Sequence, residues 1–206
     1  MVGINNSTLI EYDDLESIIY LLKNVTEIDL SGYSKSSLKR RIERFLQVEK
    51  MDVVDLKNAI VNVKDFHNYF IQELVVNVTE MFRDPQFYVS LKKNVIPYLK
   101  TYPQIRIWSA GSSTGEEAYS TTILLNEMGI LERSFIYGTD ISPRALEIAR
   151  KGVYSLNKIK SYTENYLQTK PVSDFSSHYT AMYDAAIINK EYRSKILFST
   201  HNLVTD

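Results

Sequence analysis

The sequence predicts an α/β protein in which a helical N-terminal region precedes a domain built on a parallel sheet. Residues 105–120 combine a short β-prone run, a bend that contains Gly111 and Gly115, and a helical pattern. Residues 134–140 form a second β-prone run, which ends in an acid. The first hundred residues carry apolar residues at helical spacing. A strand, a glycine bend and a helix in succession are typical of a ligand-binding edge in α/β sheets.

Length and composition are those of a globular protein. The chain has 206 residues, of which 44% are hydrophobic and 12% aromatic, enough to bury one or two cores. The longest apolar run, 18–22, is far shorter than a membrane span, and the N-terminus lacks the order of a secretion signal, so we expect a cytoplasmic protein. The absence of cysteine excludes disulfides and thiolate metal sites. A net charge of −1 argues against a surface that coats nucleic acid.

Residues 1–76 are expected to form a helical domain. Asp13 or Asp14 would cap one helix, and Asp65 would precede another. The apolar faces of these two helices are Leu15, Ile18, Ile19 and Leu22, and Phe66, Tyr69, Phe70 and Leu74.

A basic helix is expected between them, over residues 35–46. Its apolar side consists of Leu38, Ile42, Phe45 and Leu46. At helical spacing Arg40 and Arg44 point the opposite way, with Lys39 and Arg41 on the flanks. Such a face can be merely solvated. The functional alternatives are docking of an acidic partner helix or, less favoured, of a nucleic acid.

Residues 77–100 are expected to link the two domains and to contribute to a cleft. Asp84 followed by Pro85 is typical of a helix start, so Arg83 lies just outside that helix and can reach into a cleft. The alternative is that Asn77 and Thr79 are ordinary turn residues and that Arg83 is a surface side chain.

The acids after the glycine bend indicate the charge of the ligand. Glu116 and Glu117 stand in the first helical turn, and no lysine follows Gly115 as a phosphate-binding loop requires. A phosphate ligand is therefore disfavoured. A cationic ligand that carries an adenosine fits better, and S-adenosylmethionine is the common one. Asp140, at the end of the second predicted strand, is in the usual position for an acid that binds ribose hydroxyls.

A purely structural alternative remains for these acids. Glu116 and Glu117 would then complement the helix dipole, and Asp140 would cap the next turn. Further along, Ser142 and Pro143 predict a helix that ends at Gly152. A short helix over 162–167 and β-prone runs over 179–183, 185–188 and 195–200 follow.

Four linked motifs carry a family resemblance. They are Asn77-x-Thr79-x-x-Phe82-Arg83, Trp108-Ser-Ala-Gly-x-Ser-Thr-Gly-Glu-Glu-x-Tyr-Ser120, Thr139-Asp-Ile-Ser and Ala149-x-x-Gly-x-Tyr154. Together with residues 31–44 they resemble the CheR-type chemotaxis receptor methyltransferases over nearly the whole chain. The resemblance implies S-adenosylmethionine-dependent methyl esterification of glutamate side chains on the cytoplasmic helices of chemoreceptors, with S-adenosylhomocysteine as product and no metal.

The resemblance also implies a fold and residue roles. Residues 101–206 would form an incomplete Rossmann-like class I methyltransferase domain, with a small antiparallel β-subdomain inserted at about 161–194. The basic helix would face the receptor, and the β-subdomain binds a receptor-tail peptide in some members. Arg83 would also position the reacting groups. The cofactor-binding residues would be Asn77, Thr79, Arg83, Gly111, Glu117, Asp140, Asn202 and Leu203.

The chain departs from the family pattern in several places. Ala118 replaces a usual proline, Ser112 a cysteine or alanine, and Met81 a phenylalanine. The family also continues past the position of Asp206 with a fourth strand that bears active-site residues. We therefore expect a truncated chain whose first strand is an open edge, which is unstable or self-associating and which binds cofactor and catalyses weakly.

The expected chemistry needs no catalytic base. A glutamate side chain, with a pKa of about 4.3, is already ionised at neutral pH and can attack the sulfonium methyl directly. Two rival functions stay open: a non-catalytic module that binds receptor and cofactor, and a methyltransferase or binder that acts on nucleic acid. Metal binding is not expected from the scattered histidines His67, His178 and His201.

Overall fold

The structure, a computed structural model, describes residues 10–26, 28–74 and 79–203. The chain divides into two compact units, one of residues 1–76 with 202–206 and the other of residues 77–201. Helices build the first unit, and sheets with helices build the second, so the predicted fold class is confirmed. No helix among the described residues is long and apolar enough to cross a membrane.

Four described helices form the first unit. They are α1 (Tyr12–Thr26), α2 (Lys35–Glu49), α3 (Val53–Asn62) and α4 (Phe66–Leu74). The predicted apolar faces of α1 and α2 are buried, because each brings its aliphatic residues to one side of the helix. Phe45 contacts the rings of Phe66, Tyr69 and Phe70. The predicted cap of α1 is wrong: the helix begins at Tyr12, so Asp13 and Asp14 lie in its first turn.

A three-stranded parallel sheet organises the second unit. Helices α5 (Pro85–Asn94) and α6 (Ile96–Leu99) precede it. The sheet contains β1 (Ile105–Ala110), β2 (Ser134–Asp140) and β6 (Ile196–Thr200), in the order β1-β2-β6. In the described part of the chain β1 therefore pairs on one side only. Helix α7 (Glu116–Glu127) connects β1 to β2, and α8 (Pro143–Lys151) follows β2 between Ser142 and Gly152, as predicted.

The two faces of this sheet differ. One face packs against α7 and α8 and buries apolar side chains from all three strands, namely Ile105, Ile136, Ile196 and Phe198. On the other face Trp108 is 57% exposed, Tyr137 36% and Leu197 52%. These three residues are neighbours in register, because Trp108 pairs with Tyr137 and Tyr137 with Leu197. We call them the apolar row.

An antiparallel sheet lies between α8 and β6 in the chain. Its strands are β3 (Val153–Ser155), β5 (Ala185–Ile188) and β4 (Tyr179–Ala181), in that order. Helix α9 (Leu156–Gln168) connects β3 to β4, and α10 (Lys190–Arg193) follows β5. The predicted helix over 162–167 was too short, and the predicted strand over 179–183 too long. β3 lies outside the range of about 161–194 that the family resemblance implied for this subdomain.

Two tyrosines of α9 bind the two ends of α7. The Tyr162 hydroxyl donates to Glu116 Oε1 at 2.9 Å, and the Tyr166 hydroxyl donates to Glu127 Oε1 at 2.5 Å. Both glutamate side chains are buried, and each also pairs with a lysine, Lys158 or Lys92. Hydroxyl and ammonium donors thus compensate for removing these carboxylates from water.

Candidate functional site

The glycine bend, residues 111–115, joins the end of β1 to the start of α7. Gly111 and Gly115 both have positive φ, at 71° and 92°. A Cβ on Gly115 would lie 2.8 Å from the Cβ of Ala149, so the bend can approach α8 only with glycine there. A Cβ on Gly111 would meet nothing within 4 Å, so open space faces the backbone at the carboxyl end of β1.

Asp140 ties the glycine bend to the loop after β2. The residue is 8% exposed, and its carboxylate accepts hydrogen bonds from the backbone N–H of Ser113, at 2.8 Å, and of Ser142, at 2.9 Å. These bonds are of the structural kind that the alternative interpretation expected. A carboxylate has about four lone-pair positions, so a ligand hydroxyl can still be accepted. The ribose-binding role of Asp140 stays a prediction.

The adjacent acids Glu116 and Glu117 have different surroundings. Glu116 is wholly buried, and its second oxygen accepts from the Thr114 hydroxyl at 2.5 Å. Glu117 is exposed at the start of α7 and accepts from the Ser109 hydroxyl at 2.7 Å. Of these two acids, therefore, only Glu117 offers its charge to a ligand at the bend. A negative charge at this helix start disfavours phosphate and favours a cationic group.

Arg83 lies in a strained turn beside α7. Its two neighbours, Phe82 and Asp84, have φ values of 53° and 56°, and left-handed backbone costs on the order of 1 kcal/mol or more at a non-glycine residue. The Phe82 ring is buried against Tyr88 and Tyr166. The backbone N–H of Phe82 donates to the Ser120 hydroxyl at 2.8 Å. Arg83 itself is exposed. Strain of this kind, held in place by surrounding contacts, is common at functional sites.

The segment around Arg83 agrees only partly with its sequence prediction. Helix α5 begins at Pro85 as predicted, but the Asp84 side chain makes no capping hydrogen bond. Thr79 is half-buried and precedes this turn. Asn77 lies outside the described residues, so its cofactor contact stays a prediction.

The chemistry of the bend fits an adenosyl sulfonium ligand. The Ser112 hydroxyl is buried beside Gly138 and has no hydrogen-bond partner among the described residues. Three features of the bend suit such a ligand: the open space over Gly111, the exposed carboxylate of Glu117 and the remaining acceptor positions of Asp140. No lysine or arginine belongs to the bend itself, as a phosphate site would require.

Asn202 and Leu203 belong to the first compact unit. The Asn202 side chain is buried, and its Nδ2 donates to the backbone oxygen of Asp29 at 3.1 Å. Leu203 is exposed. Their predicted place on the adenine side of the cofactor stays a prediction.

The basic face of α2 is narrower than its sequence indicates. Arg40 and Arg44 are exposed on the side away from the buried residues. Lys39 is half-buried, with its Nζ 3.9 Å from Glu43 Oε1 and 5.1 Å from the centre of the Tyr12 ring. Arg41 is also half-buried and donates from Nη1 to the backbone oxygen of Leu74 at 3.2 Å. A partner would therefore meet mainly Arg40 and Arg44.

A separate cavity of about 430 Å³ opens at the opposite, amino-terminal ends of the strands. It is lined by Ile105, Arg106, Arg133, Phe135 and Lys195, among others. In parallel sheets ligands bind at the carboxyl ends of the strands, so this cavity is not the candidate site.

Sequence inspection missed two hydroxyls that this geometry brings in, Ser109 and Ser120. Ser109 is the residue before the last of β1 and binds Glu117, whereas Ser120 lies one helical turn after Glu116. Both serines stand within the motif that runs from Trp108 to Ser120, and Ser120 is four residues from Glu116, the spacing of neighbours on one helix face.

Two family models match the chain. The model described as "CheR methyltransferase, SAM binding domain" matches residues 77–206, and the one described as "CheR methyltransferase, all-alpha domain" matches residues 13–74. The chain is also similar to individual proteins. It is 41% identical to the "Putative methyltransferase Cher3" of Pseudomonas putida over 179 residues, which are 86% of this chain and 66% of that protein.

Other relatives are more distant. The chain is 28% identical to the "Chemotaxis protein methyltransferase" of Listeria innocua over 198 residues, which are 90% of this chain and 69% of that protein. It is 30% identical to the protein of the same name from Salmonella typhimurium over 138 residues, or 66% of this chain and 45% of that protein. The chain thus spans about two thirds or less of the length of most of these relatives.

Proposed function

Because the chain belongs to the CheR methyltransferase family, we propose that it transfers a methyl group from S-adenosylmethionine to glutamate side chains on the cytoplasmic helices of chemoreceptors. The observation that carries this proposal is the pair of acids around the glycine bend. Glu117 is exposed at the start of α7, and Asp140 ends β2 with acceptor positions to spare. The pair suits a ligand that has a cationic end and a ribose.

Residues beside the glycine bend would bind the two ends of the cofactor separately. Glu117, oriented by the Ser109 hydroxyl, would bind the ammonium of the methionine end, and Asp140 would accept from the ribose hydroxyls. Gly111 leaves the backbone open to close approach. Asn77, Thr79, Asn202 and Leu203 would supply further contacts.

When bound, S-adenosylmethionine supplies a sulfonium methyl group that a carboxylate oxygen can take directly, with no proton transferred. The task of the protein is then orientation and exclusion of water rather than base catalysis. Arg83 would orient the incoming glutamate by a charge-assisted hydrogen bond. The strained turn that carries Arg83 leaves its backbone few alternative positions.

The first unit would recognise the receptor. Arg40 and Arg44 form an exposed pair one turn apart on α2, which suits an acidic helix face. We expect Arg40→Glu with Arg44→Glu to weaken binding to receptor fragments at least tenfold at low salt, because attraction becomes repulsion. Lys64→Glu is the matched control, since Lys64 is exposed outside α2 in the same unit. Equal losses from both changes would remove the docking role.

The direct test combines titration calorimetry with a methyl-transfer assay. We expect S-adenosylhomocysteine to bind the chain, and labelled S-adenosylmethionine to methylate receptor fragments but not fragments whose glutamates are replaced by glutamine. Binding without transfer would favour the non-catalytic module, and absence of both would refute the proposal.

Arg83→Ala separates catalysis from cofactor binding. We expect turnover at saturating cofactor to fall at least tenfold while the dissociation constant of S-adenosylhomocysteine changes less than threefold, because Arg83 would act on the incoming carboxylate. Equal losses in both measurements would assign Arg83 to the cofactor alone.

A further inference from the structure

The turn that carries Arg83 is joined to α7 through a buried side chain, Ser120. The Ser120 hydroxyl accepts from the Phe82 N–H at 2.8 Å and donates to the Glu116 backbone oxygen at 2.7 Å. It therefore connects the residue before Arg83 with the first turn of α7, where Glu117 lies. Ser120 is completely buried, so water does not replace these bonds.

The Phe82 N–H needs this partner because of its own backbone. Phe82 and Asp84 both have left-handed φ angles, so the turn is not the conformation that these residues would adopt alone. Contacts of the buried Phe82 ring with Tyr88, Tyr166 and Phe175 fix the ring. Ring contacts leave the peptide plane free to rotate, whereas the bond to Ser120 fixes its direction.

From this geometry we propose that Ser120 is a positioning residue, which holds the Arg83 turn at a constant place relative to the first turn of α7 and so keeps Arg83 aligned with the cofactor bound at Glu117. This inference rests on the proposed function. Ser120 touches neither cofactor nor substrate in it, and acts only through Arg83.

Helix α7 offers a matched control in Thr122. Its hydroxyl is also completely buried and also donates to the backbone oxygen four residues earlier, at Ala118. Both of its hydrogen bonds, to Ala118 and Tyr119, stay within α7. Thr122→Val thus removes a buried hydroxyl of the same helix without touching the Arg83 turn.

A double-mutant cycle tests the proposal in the methyl-transfer assay. We expect Ser120→Ala to lower kcat at saturating cofactor at least tenfold and Thr122→Val to lower it less than twofold. In an Arg83→Ala background, Ser120→Ala should lower kcat less than twofold further, because the group that it positions is gone. The same loss in both backgrounds would mean that Ser120 merely stabilises the fold, and would overturn the proposal.

Hydrogen exchange supplies a readout that needs no turnover. In Ser120→Ala we expect the Phe82 amide to exchange at least tenfold faster while the amides of β1 keep their rates. S-adenosylhomocysteine should slow exchange at residues 82–84 in the unaltered chain and in Thr122→Val, but not in Ser120→Ala. If the ligand binds and leaves these amides unaffected in the unaltered chain, the link between the turn and the cofactor does not exist.

The kinetic and the exchange experiments test the inference separately from the function on which it rests. Absence of methyl transfer by the unaltered chain would refute the proposed activity, whereas the exchange experiment would still decide the role of Ser120. Should Ser120→Ala also speed exchange throughout β1, Ser120→Cys, which keeps a weaker donor and acceptor, is used instead. In that variant the proposal expects kcat and the Phe82 exchange rate to change together, and a fall in kcat at an unchanged Phe82 exchange rate would overturn it.

Discussion

His178 lies at the centre of a buried polar network in the second unit. Its Nε2 is 2.9 Å from the Tyr166 hydroxyl and its Nδ1 is 2.8 Å from the Tyr192 hydroxyl. Nε2 also lies 3.1 Å from the Ser173 hydroxyl, which can donate or accept, while the Tyr166 hydroxyl donates to Glu127. The Tyr192 hydroxyl accepts from Asn126 and can then donate to Nδ1. Burial lowers the pKa of His178 below its ordinary value despite the opposing influence of nearby carboxylates.

The lowered pKa of His178 predicts a loss of stability in mild acid. In the unfolded chain the histidine has a pKa of about 6.5, so below that pH the unfolded state binds more protons than the folded state. The contribution of His178 to the free energy of unfolding should be fully present above about pH 6.5. It should fall as the pH decreases towards the lower folded pKa, by at most about 1.4 kcal/mol per pH unit. Urea denaturation between about pH 5 and pH 8 measures this slope.

The variant His178→Gln identifies the source of that slope. Glutamine can still hydrogen-bond but does not titrate, so the part of the slope that His178 contributes should disappear. An identical dependence in the variant and the unaltered chain would assign the acid sensitivity to other groups.

The different surroundings of Glu116 and Glu117 mark the limit of sequence inference for single residues. The sequence predicts two acids at the start of a helix, and hence the sign of the ligand charge. It does not indicate which acid is buried, because the partner that buries Glu116 is Tyr162, which lies 46 residues along the chain. Local patterns carry no information about such distant contacts.

Among the elements, the glycine bend contains two glycines that are needed for different structural reasons. Gly115→Ala would add both left-handed strain and a methyl group that overlaps Ala149, including its backbone Cα at 3.1 Å. We expect it to lower the free energy of unfolding by roughly 2–4 kcal/mol. Gly111→Ala adds only the strain, roughly 1–2 kcal/mol. Denaturant titration of both variants measures the difference, and equal losses would contradict the packing role of Gly115.

Elements with strong local signals were predictable, and those that depend on a distant partner were not. Helix α8 has a serine cap, a proline in its first turn and a glycine end, and its bounds follow from the sequence. Strand β3 has three residues, runs directly into α9 and pairs with β5 about thirty residues later. Its short length gives no alternation to detect, which is why the extent of the inserted sheet was missed.

On the scale of the whole molecule, the apolar row and the unpaired side of β1 lie on surface that the described chain leaves open. An apolar sheet face next to an open strand edge favours association. The open edge of β1 was expected from the family resemblance, and the strand order among the described residues agrees with it. The side chains of the apolar row become evident only from the register of all three strands.

We expect the chain to self-associate through the apolar row. Sedimentation velocity should show a concentration-dependent increase in mass, and Leu197→Lys should raise the concentration at the midpoint at least tenfold because it adds charge to that face. Val172→Lys is the control, since Val172 is 73% exposed outside the sheet. A monomer at all concentrations, or an equal effect of both variants, would contradict this expectation.

The tyrosines of α9 make the inserted segment, residues 153–188, part of the packing around α7. Deletion of residues 153–188 would remove Tyr162 and Tyr166. Glu116 and Glu127 would then lose the hydroxyls that donate hydrogen bonds to them. Glu116 at the start of α7 would also lose Lys158, whereas Glu127 at its end would keep Lys92. The inserted segment therefore belongs to the packing of the second unit, because its helix α9 supplies hydrogen-bond donors to the glutamates at both ends of α7.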